Sequence, residues 1–91
     1  MEKQNNFENI LRCKWSIAVL QQIEEGTKQP GMLLRRIPGL SKKILYQRLK
    51  KFQRFEYIYR RLITQKPLKV FYGLTPRGRK AIKIIRMIRS L

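Results

Sequence analysis

Residues 40–52 read LSKKILYQRLKKF, and this stretch decides the fold of the chain. Its apolar side chains Leu45, Leu49 and Phe52 recur at helical spacing, which predicts a helix with one apolar stripe. The charges fall outside this stripe, so the opposite face is basic. Ser41 is suited to cap the N-terminus, where unpaired backbone amides favour anions. A helix of this kind has the shape and charge to lie in the major groove of DNA.

The residues before this helix predict two further helices. Residues 15–24 are apolar around most of the helical circumference, which indicates burial, and Gly26 suits the left-handed position that follows a helix end. Pro30 favours the first turn of a second helix, which continues to Arg36 before a Pro-Gly pair forces a turn. Two short helices joined by such a turn, the second of them basic and capped, form the helix-turn-helix pattern.

The residues after residue 54 change to a strand-type pattern. Residues 57–64 and 69–74 are rich in aromatic and β-branched residues, and residues 65–68 supply a turn between them. This pattern predicts a β-hairpin with a basic tip. Thr75 and Pro76 then provide an N-cap and a first-turn proline for a last helix that runs to the C-terminus.

Together these elements predict one domain of the α+β class, mainly α. We expect a winged helix-turn-helix with a three-helix core, a β-hairpin wing and terminal dimerisation helices. Within residues 1–91 the parts are a lead-in helix (1–13), the core and wing (14–74) and the C-terminal helix (75–91). A chain of 91 residues has room for one such domain with a small core. The lead-in helix has three apolar side chains on one side: Phe7, Ile10 and Leu11.

The composition indicates a polyanionic partner. The chain contains 22 Lys and Arg against 5 Asp and Glu, for a formal net charge of +17, which exceeds what solubility requires. At the same time 43% of the residues are hydrophobic, so the chain is expected to fold rather than to act as a disordered basic tail.

Several classes of function are excluded by what the sequence lacks. With no His and one Cys, a single chain has neither an internal disulfide nor a Cys/His zinc site. No Asp and no nucleophile-base arrangement is present, so we expect neither an enzyme nor a cofactor. Apolar runs are short and the N-terminus has no basic leader, so no membrane segment is expected. We expect a cytoplasmic, nucleoid-associated protein, or one of the plastid stroma.

Four groups of residues together resemble the HxlR-type winged helix-turn-helix regulators, a branch of the MarR-like transcription factors. They are Lys14-Trp15, residues 37–41, the pair Leu45 and Leu49, and residues 72–78, in the family's order and spacing. The resemblance implies a homodimeric DNA-binding regulator that dimerises through its terminal helices. One departure is Glu56, at the position where the family usually has the glycine of an Asp-Gly pair.

The candidate interface residues divide into two groups. Residues on the exposed face of the central helix are expected to reach bases or the groove: Ser41, Lys42, Lys43, Tyr46 and Gln47. Gln47 is the strongest candidate for base recognition, because its amide can pair with adenine through two hydrogen bonds. Other basic residues are expected to contact phosphates, which positions the protein without reading sequence: Lys28, Arg35, Arg36, Arg48, Lys50, Lys66 and Lys69. Double-stranded DNA is thus the expected partner, and RNA or ribosome binding is the main alternative.

Two features leave alternatives open. The last helix has a wide isoleucine face, which predicts a dimer seam with Phe7, Ile10, Leu11, Ile84, Ile85 and Ile88, although a membrane surface or another partner is the alternative. Cys13 lies between Arg12 and Lys14, and neighbouring cations favour the reactive thiolate. We favour a buried structural cysteine over a redox thiol. Trp15, Tyr57 and Tyr72 are expected to be core residues. An inducer, if one exists, is not indicated by the sequence.

Overall fold

Four helices and a two-stranded sheet follow one another along residues 14–91, the part of the chain that the computed structural model describes. The mainly α winged helix-turn-helix prediction is therefore confirmed. The predicted lead-in helix, with Phe7, Ile10, Leu11 and Cys13, lies outside the described residues. The elements are α1 (Lys14–Glu24), α2 (Pro30–Arg36), α3 (Lys42–Arg54), β1 (Ile58–Gln65), β2 (Leu68–Leu74) and α4 (Pro76–Arg89).

Helix α3 begins and packs as its sequence predicts. The Ser41 side chain accepts a hydrogen bond from the backbone N–H of Ile44 at 3.1 Å, which satisfies one of the unpaired amides of the first turn. Leu45, Leu49 and Phe52 are almost completely buried. Before α3, Gly39 adopts a positive φ of 87°, so the Pro-Gly pair makes the sharp turn that sets α3 across α2.

Glu56 ends α3 in a conformation that L-residues rarely adopt. Its φ is 64°, the left-handed region that normally favours glycine. The N–H of Tyr57 donates to the carbonyl of Phe52 at 2.8 Å, and the N–H of Glu56 donates to the carbonyl of Gln53 at 3.0 Å. These two bonds form a Schellman motif, which satisfies the last carbonyls of the helix. The missing glycine therefore changes the energetic cost of the turn but not its geometry.

The hairpin is antiparallel and pairs Ile58 with Leu74 and Leu62 with Val70. The register is irregular between Leu62 and Thr64, so Ile63 forms a bulge. The turn is shorter than predicted, because the strands extend to Gln65 and Leu68 and leave only residues 66–67 between them. The base of the hairpin is fixed to the body, since the N–H of Tyr72 donates to the carbonyl of Lys28 at 2.9 Å.

Helix α4 contributes to the core more than predicted. Thr75 caps it by accepting a hydrogen bond from the N–H of Gly78 at 3.0 Å, and Ala81, Ile82 and Ile85 are buried. The core thus contains four helices rather than three. The assignment of Ile85 to a dimer seam is corrected for the same reason: Ile85 is 0% exposed within the protomer, so it is not available to a second copy.

The three aromatic residues expected in the core pack there. Tyr57 and Tyr72 are each 4% exposed, and Trp15 packs against the core with its ring beside Gly39. Within residues 14–91, no helix is both long enough and apolar enough to cross a membrane.

Candidate nucleic-acid interface

All five residues predicted to contact bases or the groove are exposed on α3 or at its N-cap. The helical repeat places Lys43 and Gln47 opposite Leu45, Leu49 and Phe52. Tyr46 lies on the flank of α3 beside the hairpin, and Ser41 and Lys42 are exposed at the N-terminal end. No acidic residue lies in the first turn. Positive side chains therefore add to the positive end of the helix dipole, with no carboxylate of the same turn to offset them. The five exposed residues are Ser41, Lys42, Lys43, Tyr46 and Gln47.

An open groove of about 750 Å³ separates this face from the hairpin. Its floor consists of Leu49, Val70 and Tyr72, and the side chains of Tyr46 and Leu68 stand above the floor. The exposed basic side chains at its rim are Lys42, Lys43, Lys50 and Arg60. No acidic side chain lines the groove. The groove therefore combines a positive rim with an apolar floor.

Arg60 was not predicted as an interface residue. It pairs with Tyr72 across the hairpin, and cross-strand partners point to the same face of a sheet. The burial of Tyr72, which the sequence did predict, thus indicates that Arg60 lies on the side facing α3. The register of the hairpin is the signal that identifies Arg60, and this register depends on the bulge between Leu62 and Thr64, which the sequence did not predict.

Most residues predicted to contact phosphates are exposed, and Arg48 is the exception. Arg48 is half-buried and does not line the groove. Its Nε is buried and has no hydrogen-bond partner within residues 14–91. Arg48 thus lies on the flank of α3 away from the hairpin. The six exposed residues are Lys28, Arg35, Arg36, Lys50, Lys66 and Lys69.

The acidic residues of the described chain lie away from the groove. Glu24 accepts hydrogen bonds from both terminal nitrogens of Arg86, one of them at 3.0 Å, which joins α1 to α4. Glu25 is at the end of α1, and Glu56 is in the turn after α3. Within residues 14–91 no group of three or more His, Cys, Asp or Glu is placed to hold a metal ion.

A profile of HxlR-like helix-turn-helix proteins matches residues 10–91. The chain belongs to the HxlR-like helix-turn-helix family. The match includes both the helix-turn-helix and the hairpin that form the groove, and the family resemblance that the sequence suggested is confirmed.

Two relatives and one solved structure are similar to this chain. It is 35% identical over 83 residues to the uncharacterized HTH-type transcriptional regulator sll1512 of Synechocystis, covering 91% of this chain and 62% of that protein. It is 30% identical over 70 residues to YodB of Bacillus subtilis, an HTH-type transcriptional regulator. This match covers 77% of this chain and 62% of YodB. The chain thus spans less than two thirds of both relatives. The structure of diamide-treated YodB from B. subtilis has the same fold, with a TM-score of 0.84 at 24% identity, covering 99% of this chain and 89% of that one.

Proposed function

We propose that the protein is a transcriptional regulator that binds double-stranded DNA in a sequence-specific manner. The observation that carries this proposal is the continuous basic surface formed by α3 and the hairpin, which no acidic side chain interrupts. An exposed helix of this kind fits the major groove, and a hairpin beside it reaches the adjoining minor groove. The names of the relatives, both HTH-type transcriptional regulators, support the same function. This function places the protein with DNA, in the bacterial cytoplasm or the plastid stroma.

The proposal assigns different roles to the residues of this surface. Gln47 and Tyr46 project from the middle of the exposed face of α3, where the helix comes closest to base edges. Lys66 and Lys69 are exposed near the tip of the hairpin, where they contact phosphates. A bidentate amide-adenine contact distinguishes one base pair from another, whereas a lysine-phosphate contact does not.

The proposal also includes a homodimer on a pseudo-palindromic site. Helix α4 exposes an apolar stripe, which we define as Ile84, Met87, Ile88 and Leu91. These residues recur at helical spacing and face away from the core that Ile82 and Ile85 enter. A second copy packed on this stripe about a twofold axis would cover it. Such an axis would place two α3 helices about 34 Å apart, one turn of DNA.

The test begins with selection of bound duplexes from a random pool, followed by affinity measurements with the selected duplex. Gln47→Ala is expected to lose about 1–3 kcal/mol of discrimination at one position of each half-site. Lys66→Ala should weaken selected and random duplexes equally. Lys83→Ala is the matched control, because Lys83 is exposed on α4 and does not line the groove.

Two results would contradict sequence-specific binding of duplex DNA. If selection yields no sequence preference and single-stranded RNA binds more tightly than duplex DNA, the protein is a basic RNA-binding protein, the alternative function. If Gln47→Ala loses affinity equally for selected and random duplexes, Gln47 does not read a base.

A further inference from the structure

The groove between α3 and the hairpin is more apolar than phosphate binding requires. Leu49 and Tyr72 are 1% and 4% exposed and close its floor. Leu68, however, is 69% exposed although it stands beside the groove. A single exposed leucine needs no explanation, but Leu68 adjoins Tyr46 and Val70 in the lining of one groove. These side chains form an apolar surface bordered by basic residues, which suits a ligand that is partly apolar and partly anionic.

The arrangement of the groove identifies which part of DNA would fill it. When a helix lies in the major groove and a hairpin in the adjoining minor groove, the sugar-phosphate strand that separates the two grooves passes between them. Such a strand is anionic along its phosphates and apolar along the C–H surface of its deoxyriboses. The basic side chains of Lys43, Lys50 and Arg60 at the rim, with Leu68 and Val70 on the hairpin side, match this alternation.

We propose that this groove holds one strand of duplex DNA and selects deoxyribose over ribose. The inference rests on the proposed function, since it names the part of DNA that the same surface contacts. Leu68 and Val70 have no side-chain group that can hydrogen-bond. A 2′-hydroxyl pressed against them would lose its water without gaining a partner, which is unfavourable. A deoxyribose has no such group and would bury only C–H surface.

The experiment is a scan of single ribonucleotides through the selected duplex. Each substitution adds one 2′-hydroxyl to one sugar while the base sequence stays unchanged. We expect one or two positions in each half-site, on the strand that crosses the groove, to weaken binding by about tenfold or more. At these positions a 2′-fluoro sugar should bind nearly as well as deoxyribose, because fluorine shifts the sugar pucker as ribose does but adds no hydroxyl.

Two variants assign the effect to the groove. Leu68→Ser provides a hydroxyl partner and should remove most of the ribonucleotide penalty, and it does not threaten the fold because Leu68 is exposed. Tyr59→Ser is the matched control, since Tyr59 is 43% exposed on the same hairpin, next to Arg60 and therefore on the opposite face of the sheet, and does not line the groove. Tyr59→Ser should leave the penalty unchanged.

The results separate this inference from the proposed function. A flat scan on a duplex that still binds sequence-specifically overturns sugar selection alone. A penalty that 2′-fluoro reproduces overturns it too, because pucker would then be the cause. A penalty that persists in Leu68→Ser removes the hairpin side of the groove as its source. Absence of any duplex preference would instead refute the proposed function itself.

Discussion

The apolar stripe of α4 gives the sharpest test of the proposed dimer. Ile88 is 43% exposed and lies on the stripe, whereas Ile85 is fully buried in the protomer. An Ile88→Asp protein should therefore fold and remain monomeric, while Ile85→Asp should unfold, because it places a carboxylate in the core. The two isoleucines are three residues apart in one helix, yet their substitutions should have different consequences.

The exposed fraction of Ile88 determines how much dimer stability the Ile88→Asp substitution should remove. Full burial of an isoleucine stabilises by about 1.5–3 kcal/mol. Covering the 43% of Ile88 that the protomer leaves exposed then contributes about 0.6–1.3 kcal/mol per protomer, and about 1–3 kcal/mol in a twofold dimer. Desolvating the two new carboxylates increases the loss further. The dimer dissociation constant should thus rise by at least about tenfold.

Sedimentation equilibrium of the wild type and the variants measures this constant directly. Far-ultraviolet circular dichroism checks whether Ile88→Asp keeps its helices, as we expect, and Lys83→Asp controls for an added carboxylate off the stripe. Affinity for the selected duplex should fall together with dimerisation, since one half-site supplies only part of the contacts. A wild-type chain that is monomeric at tens of micromolar, or an Ile88→Asp protein that dimerises as wild type does, would refute the argument.

Three further predictions follow from the charge, the turn after α3 and the thiol. If a dimer contacts about ten phosphates, the logarithm of its DNA affinity should fall with the logarithm of salt concentration at a slope near −9; a flat titration would contradict this. Glu56→Gly should raise the free energy of unfolding in urea by about 0.5–1 kcal/mol, because glycine adopts the left-handed conformation without strain. Glu56→Ala keeps the Cβ and should therefore not raise the free energy of unfolding. Oxidant should leave DNA affinity unchanged in wild type and in Cys13→Ser alike, and a reversible thiol-dependent loss would identify Cys13 as a redox switch.

The sequence predicted the helices and strands because their signals are local. The caps Ser41 and Thr75, the prolines that begin α2 and α4, and the left-handed Gly26 each act within one turn of the chain. Helical spacing likewise assigned the exposed face of α3, since the opposite face had three apolar residues at regular intervals. The bounds of the four helices therefore agree with the structure to within about two residues, and Leu45, Leu49 and Phe52 form the buried face of α3 as predicted.

The features that the sequence did not predict depend on contacts between distant residues. The isoleucines of α4 lie partly in the core and partly on the outer stripe. Only packing against the other helices shows that Ile85 belongs to the core. Arg60 reaches the groove through the register of the hairpin, which a bulge between Leu62 and Thr64 modifies. Arg48 resembles the other basic residues of α3 in sequence but is half-buried on its flank.

One junction connects the proposed dimer seam to the groove. Thr75 caps α4, and its hydroxyl donates to the carbonyl of Glu56 at 2.5 Å, while its N–H donates to the carbonyl of Tyr57 at 3.1 Å. Gly78 packs so closely that a Cβ there would lie 2.0 Å from the Tyr57 carbonyl oxygen. The end of α3, the start of β1 and the start of α4 are thereby held together. In a dimer formed through α4, this junction would set the angle between the seam and each α3 helix, and hence the spacing of the half-sites that both helices can reach at once.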